Sequence, residues 1–255
     1  MKDARLSEME RYILREESVS MEALRQHFGI SIHTVRNDVS MLLTKGSIEK
    51  VYGGVCARRV PEHQQLIPFS MRSIERCEAK MRIGREAAAM VRDGDVIFVD
   101  SGTTTLHMIN ALSNLHSVTI VTNNLDAINA ALPHAKLSIV ALPGYLQRKT
   151  NSFTGAEALG FLQNVNIRTA FMAATGLSLH GVTNSSPLEY EIKMAAMARS
   201  EKRVLLLDSH KFGKTALLTY ARIADFDAVV TEGEPEKSYI TVLRDNNVSL
   251  IVSRE

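Results

Sequence analysis

The sequence is short of the residues that staple a fold or hold it in a bilayer. Its 255 residues include two cysteines, Cys56 and Cys77, too few for a disulfide scaffold and without metal-ligand spacing. No metal and no cofactor are therefore expected. No apolar run approaches the roughly 18 residues of a membrane span. The opening Met1-Lys2-Asp3-Ala4-Arg5 is charged, with no apolar stretch behind it, so no signal peptide is read. Hydrophobic residues make up 45% and charged residues 23%, which excludes a disordered or collagen-like chain. These absences point to a reduced, cytoplasmic, soluble protein with no membrane partner.

Charge is nearly balanced, at +2 overall, but unevenly placed. Residues 1–24 carry four basic and six acidic side chains, whereas residues 25–59 carry six basic and two acidic ones. The remainder is neutral. A local basic excess on a balanced chain fits a small anion-binding unit joined to a larger one, or simply a solvated charged face.

The hydrophobic pattern agrees with that division. Leu6, Met9, Ile13 and Leu14 share one helical face. Leu24 and Phe28 mark a second, short helix that Gly29 ends. Ser31 is a suitable N-cap for a third helix running to about Lys45. Ser47 to Val55, with Gly53-Gly54, fits a small β-wing. On the third helix Ile32, Val35, Val39, Leu42 and Leu43 gather on one side. His33, Arg36, Asn37, Ser40 and Thr44 take the other, with Thr34 at its edge. A helix entering a major groove needs polar donors in its first turns and an apolar back. Ser20, Arg25, Lys45, Lys50 and Arg58 are placed to hold phosphates. Taken singly each of these also fits an ordinary cap or surface residue; the ordered combination is more specific.

Arg58-Arg59-Val60-Pro61 and Ile67-Pro68 read as a linker. The predicted organisation is a DNA-binding unit over 1–57, a linker over 58–79 and a ligand-binding and oligomerisation domain over 80–255. The last opens with a helix through Ala87–Val91. Short β-branched runs then alternate with helices at residues 96–99, 118–121, 137–140, 204–207, 228–230 and 250–252. That is the signature of a doubly wound α/β domain. Asp100-Ser101-Gly102-Thr103-Thr104 follows one strand and Thr122-Asn123 another, so both are expected at the carboxyl edge of the sheet, where ligands bind. Hydroxyls and backbone N–H groups there suit a phosphate. Arg148, Lys149, Gly176, Glu191 and Lys211 complete the candidate ligand set, though each also fits a surface or turn residue.

Several segments resemble the deoxyribose-operon-repressor (DeoR) family. Val19–Leu24, Gly29-Ile30-Ser31, Thr34–Val39 and Gly46–Gly54 are similar to its winged helix-turn-helix. Asp100–Thr104, Thr122-Asn123, Gly155, Gly181-Val182-Thr183, Glu191 with Lys193, and Asp208 with Lys211-Phe212-Gly213 are similar to its sensor domain. The resemblance implies a transcriptional repressor of double-stranded operator DNA, with a sensor fold like that of sugar-phosphate isomerases. It also implies a phosphorylated sugar or polyol effector and a homo-oligomer, dimer or tetramer. Gly181–Ser185, Leu188–Lys193, His210–Lys214 and Leu217–Tyr220 resemble the inositol-catabolism repressor branch. Asn37, Asn124, Pro143 and Arg168 depart from the family pattern, which usually has arginine, serine, glycine and aspartate there. The competing reading is a sugar-phosphate isomerase, for which Asp100, Glu191 and Lys211 supply acid and base types. An isomerase has no use for the N-terminal unit.

Overall fold

A computed structural model describes residues 2–16, 18–45, 47–51, 53–57 and 67–253. The chain forms two compact units, Met1–Glu62 and His63–Glu255.

The first unit contains α1 (Lys2–Glu16), β1 (Ser18–Ser20), α2 (Met21–Phe28), α3 (Ile32–Lys45), β2 (Ile48–Val51) and β3 (Gly54–Ala57). Gly29 takes φ 61°, the left-handed conformation that ends α2. Met9, Ile13, Leu24, Val35, Val39, Leu42 and Val55 form one buried core. Much of α3 is β-branched or polar, so intrinsic propensity favours it only weakly. Each fully buried aliphatic side chain contributes roughly 1.5–3 kcal/mol, so packing of Val35, Val39 and Leu42 holds the helix. Two expectations change here. Leu14 is 46% exposed, because it lies at the edge of the Met9–Ile13 stripe. The wing, expected over Ser47 to Val55 alone, also takes in Ser18–Ser20, a strand pairing antiparallel with β3, so it is a three-stranded sheet of order β1-β3-β2.

The second unit contains α4 (Phe69–Ile74), α5 (Cys77–Ala88), β4 (Val96–Val99), α6 (Thr103–Leu106), β5 (Val118–Thr122), α7 (Leu125–Ala131), β6 (Leu137–Ala141), β7 (Tyr145–Gln147) and β8 (Ser152–Thr154). It continues with α8 (Ala156–Leu162), β9 (Ile167–Ala173), β10 (Gly176–Ser178), β11 (Gly181–Asn184), α9 (Pro187–Ala198), β12 (Ser200–Leu206), β13 (Leu218–Ala221), β14 (Ala228–Thr231), α10 (Lys237–Asp245) and β15 (Ser249–Val252).

Seven strands form a parallel sheet of order β15-β14-β12-β9-β4-β5-β6. Val96–Val99, Ala170–Ala173, Val204–Leu206 and Ala228–Val230 are apolar because both faces of the sheet are covered there. Successive residues supply opposite cores. Phe98, Met172, Leu205 and Val229 pack on one side, Ile97, Val99, Phe171, Val204, Leu206 and Val230 on the other. The chain builds outward from β4 through β5 to β6, then returns to β9 on the other side of β4. The switch point therefore lies between β4 and β9, whose carboxyl ends are at Val99 and Ala173. A hairpin β7-β8 and an antiparallel sheet β10-β11-β13 are added to this framework.

The second half of the expected linker is largely helical. Residues 58–66 lie outside the described residues, but α4 and the start of α5 occupy its second half. The helix expected through Val91 begins at Cys77 and ends at Ala88.

Candidate functional site

On the first unit, α3 presents His33, Arg36, Asn37 and Ser40 to solvent. Ser31 Oγ accepts the Thr34 N–H at 3.1 Å and lies 2.9 Å from Thr34 Oγ1, so both hydroxyls serve the helix N-terminus. Asn37 Nδ2 lies 3.3 Å from His33 Nε2. Asp38, the carboxylate that a purely structural Arg36 would seek, is buried and accepts Arg5 Nε at 2.8 Å. Among the described residues Arg36 makes no hydrogen bond or ion pair.

Ser20 caps α2, accepting the Ala23 N–H at 3.1 Å. Arg25 pairs with Glu22 at 2.6 Å, so its charge is partly neutralised. Lys50 is exposed on β2. The Lys45 side chain and Arg58 lie outside the described residues.

In the second unit the switch point holds a buried polar cluster. Asp100 follows β4. Its Oδ1 accepts the Ser101 N–H at 2.9 Å, and its Oδ2 accepts the Ala173 N–H at 2.8 Å and an ion pair from Lys193. Lys193 Nζ and Tyr220 Oη each also donate to the Ala173 carbonyl at 2.9 Å. Burial, with the Asp100 charge nearby, pushes the Tyr220 phenol well above its usual value.

Glu189 is the second centre. Ser101 Oγ, Ser152 Oγ and, at 3.3 Å, Asn123 Nδ2 all donate to its carboxylate. Burial, with Asp100 adding repulsion, raises its pKa against the pull of Lys193 and the two serines. Among the described residues Asn123 Oδ1 and Thr104 Oγ1 are buried without a partner. Such atoms are costly unless something else satisfies them.

Cations collect beside these acids. Lys211 Nζ lies 3.3 Å from Asp208 Oδ2. Burial lowers its pKa, opposed by Asp208 and reinforced by Arg72 and Lys193. Lys80 is buried and donates to the carbonyls of Arg72 and, at 2.7 Å, Glu75, at the end of α4. Burial, with the Lys211 ammonium nearby, lowers it to about 8. Burial likewise lowers Arg72, against the attraction of Glu189 and Asp100.

The predicted ligand residues therefore divide. Asp100, Ser101, Thr103, Thr104, Thr122 and Asn123 are all buried around the ends of β4 and β5. Gly102 packs against Ala173, where a Cβ would collide. The remaining expected residues, Lys211 aside, lie apart from this cluster. Glu191 points to solvent; on α9 the inward acid is Glu189, one turn before Lys193. Arg148 and Lys149 are exposed in the β7–β8 turn, where only the Lys149 carbonyl is engaged, by the Phe69 N–H at 2.9 Å. Gly176 is pressed against the Lys214 backbone and serves packing.

Glu189, Ser152, Lys193, Tyr220, Arg72 and Lys80 are absent from the predicted site. The i,i+4 spacing of Glu189 and Lys193 behind the Ser186-Pro187 cap was the available signal for two of them. Arg72 was hidden by the linker reading.

Residues 5–59 match the DeoR-like helix-turn-helix domain, and residues 75–233 match the DeoR C terminal sensor domain. The HTH-type transcriptional regulator IolR of Bacillus subtilis is 41% identical over 98% of this chain and 99% of its own. The glycerol-3-phosphate regulon repressor of Escherichia coli is 30% identical over 91% of each. Ribose 5-phosphate isomerase A of Methanocaldococcus jannaschii aligns with a TM-score of 0.38 and 18% identity, over 52% of this chain and 53% of that chain.

Proposed function

The chain belongs to the DeoR family of DNA-binding transcriptional regulators, matching it in both domains, and on that premise we propose that it represses a carbohydrate or polyol catabolic operon. The branch we infer is that of inositol catabolism, which the 41% identity to IolR supports. The effector is a phosphorylated sugar or polyol. Its hydroxyls face Glu189, Asn123 and Ser101, and its anionic group is drawn by Lys211, Lys80 and Arg72.

One observation carries this reading. The topological switch point of the sheet, the general position for ligands in open α/β domains, holds a buried cluster with orphaned polar atoms and neighbouring cations. The protein acts as a homo-oligomer, dimer or tetramer, whose paired α3 helices meet two half-sites. Effector control requires unequal affinity for the two states; a hundred-fold ratio corresponds to about 2.7 kcal/mol.

The test is a mobility-shift assay on DNA from the chain's own upstream region, with and without a panel of pentose, hexose and inositol phosphates. A specific shift lost with one member is expected. A shift indifferent to every member overturns effector control. Absence of any sequence-specific shift overturns repression of that operon.

We also infer that the sensor performs no turnover. The helix-turn-helix matched over residues 5–59, for which an isomerase has no use, and the regulators among its relatives support this reading. Product formed from any pentose or inositol phosphate at several per second would reject this.

A further inference from the structure

The outward side of α3 carries His33, Asn37, Ser40 and Thr44. At about 100° per residue, with Val35 at the buried centre, His33 and Asn37 lie at about 160° and about 200°. Arg36 lies on the flank, at about 100°. Of the neighbouring hydroxyls, those of Ser31, Thr34 and Thr44 are already engaged. Ser31 and Thr34 bond to each other and to the cap, and Thr44 donates to the Ser40 carbonyl at 3.0 Å. In the first two turns, the ones that enter a groove, His33 and Asn37 are thus the foremost exposed side chains, and they are joined to each other.

That bond has a defined chemical consequence. An asparagine amide carries two N–H groups and one carbonyl. When one N–H goes to His33 Nε2, that ring nitrogen is the acceptor and Nδ1 carries the hydrogen. The amide keeps a donor beside an acceptor, Nδ2–H next to Oδ1, in one plane. In the major groove only adenine offers the complement, the N7 acceptor beside the N6 amino donor. Guanine offers two acceptors, which would set Oδ1 against O6 or N7. Tethering to His33 also restrains amide rotation before DNA arrives, which lowers the ordering cost of binding.

We propose that Asn37, held by His33, reads one adenine in each operator half-site, and that His33 is the positioning residue for that amide. This rests on α3 being the helix that enters the groove.

The experiment is selection of bound duplexes from a random pool by the full-length protein, using wild type, Asn37→Ala, Asn37→Arg and His33→Ala. Affinities for the selected site and its single-base variants complete a double-mutant cycle. All of these positions are exposed, and circular dichroism verifies that each variant is folded. Wild type is expected to enrich adenine at one position per half-site, by about ten-fold or more over other bases. Asn37→Ala should lose that preference alone. Asn37→Arg should move it to guanine. His33→Ala should weaken the adenine preference several-fold in the wild-type background and leave it unaltered in the Asn37→Ala background.

Uniform loss of affinity in Asn37→Ala, with every base preference kept, would overturn the assignment and make the amide a phosphate contact. Independent effects of the two substitutions would overturn the positioning role. Failure of wild type to enrich any sequence would instead remove the operator reading beneath the proposal, a result distinct from an enriched site indifferent to Asn37.

Discussion

The winged unit and the sensor use similar polar side chains in opposite ways. On α3, Arg36, Asn37, His33 and Ser40 are exposed and retain bonding capacity. At the sheet switch point, Asp100, Ser101, Asn123, Ser152, Glu189 and Lys193 are buried and bonded to one another. DNA brings a large, regular array of phosphates and base edges, so a rigid helix with open donors suffices. The small effector we propose brings few groups, and a site for it must be built in advance by the protein.

The contrast can be broken at several points. Asp100→Ala leaves the buried Lys193 ammonium without its counter-charge. It should destabilise the sensor by about 3–5 kcal/mol, read as a lower denaturation midpoint in urea. A cost near zero would mean that the cluster is wetter and looser than its contacts indicate. Arg36→Ala should do the reverse. Specific operator affinity should fall about ten- to a hundred-fold, a loss of 1–3 kcal/mol, while the thermal midpoint and effector binding stay unchanged. Gel-shift titration showing full specific affinity would remove Arg36 from the interface.

Within the sensor, Lys211→Ala should weaken the effector identified by the panel about ten-fold, and Thr103→Val a few-fold. DNA affinity should be unaffected, and calorimetry provides the comparison. Lys80 gives a subtler signal. An unfolded lysine holds its proton up to about 10.5, the folded Lys80 only up to about 8. Between those values the unfolded chain binds more protons, so stability rises with pH, by at most about 1.4 kcal/mol per pH unit. Lys211 acts in the same direction, and Tyr220, raised above 10, opposes beyond pH 10. The slope from pH 8 to 10 should flatten in Lys80→Met; an unaltered slope would assign it elsewhere. The smallest effect is expected from Glu22→Gln, which frees Arg25. If Arg25 meets a phosphate, the salt dependence of operator binding should steepen by up to about one counterion.

The winged unit was legible because its signals are local. Ser20, Gly29 and Ser31 punctuate helices, and periodicity assigns the faces of α3. The sheet strands were legible as apolar runs between turns, although β1 and the antiparallel β10-β11-β13 sheet are too short and mixed to stand out. The sensor cluster was legible only along single strands. Asp100 and Asn123 sit at strand ends, a position that sequence reveals. Glu189 reaches them from a helix 66 residues beyond Asn123, and that proximity is a property of strand order. Glu191 stands half a helical turn from Glu189, which is enough to move a side chain from core to solvent.

Glu189 has a further consequence for how the regulator responds. Three protein donors already converge on its carboxylate. A carboxylate offers about four acceptor positions, so one remains beside these donors, and the effector we propose would meet it there without displacing any of them. The oxygens are already steadied from several directions, so a newcomer would find its place set before it arrived, and little protein freedom would be lost on its arrival.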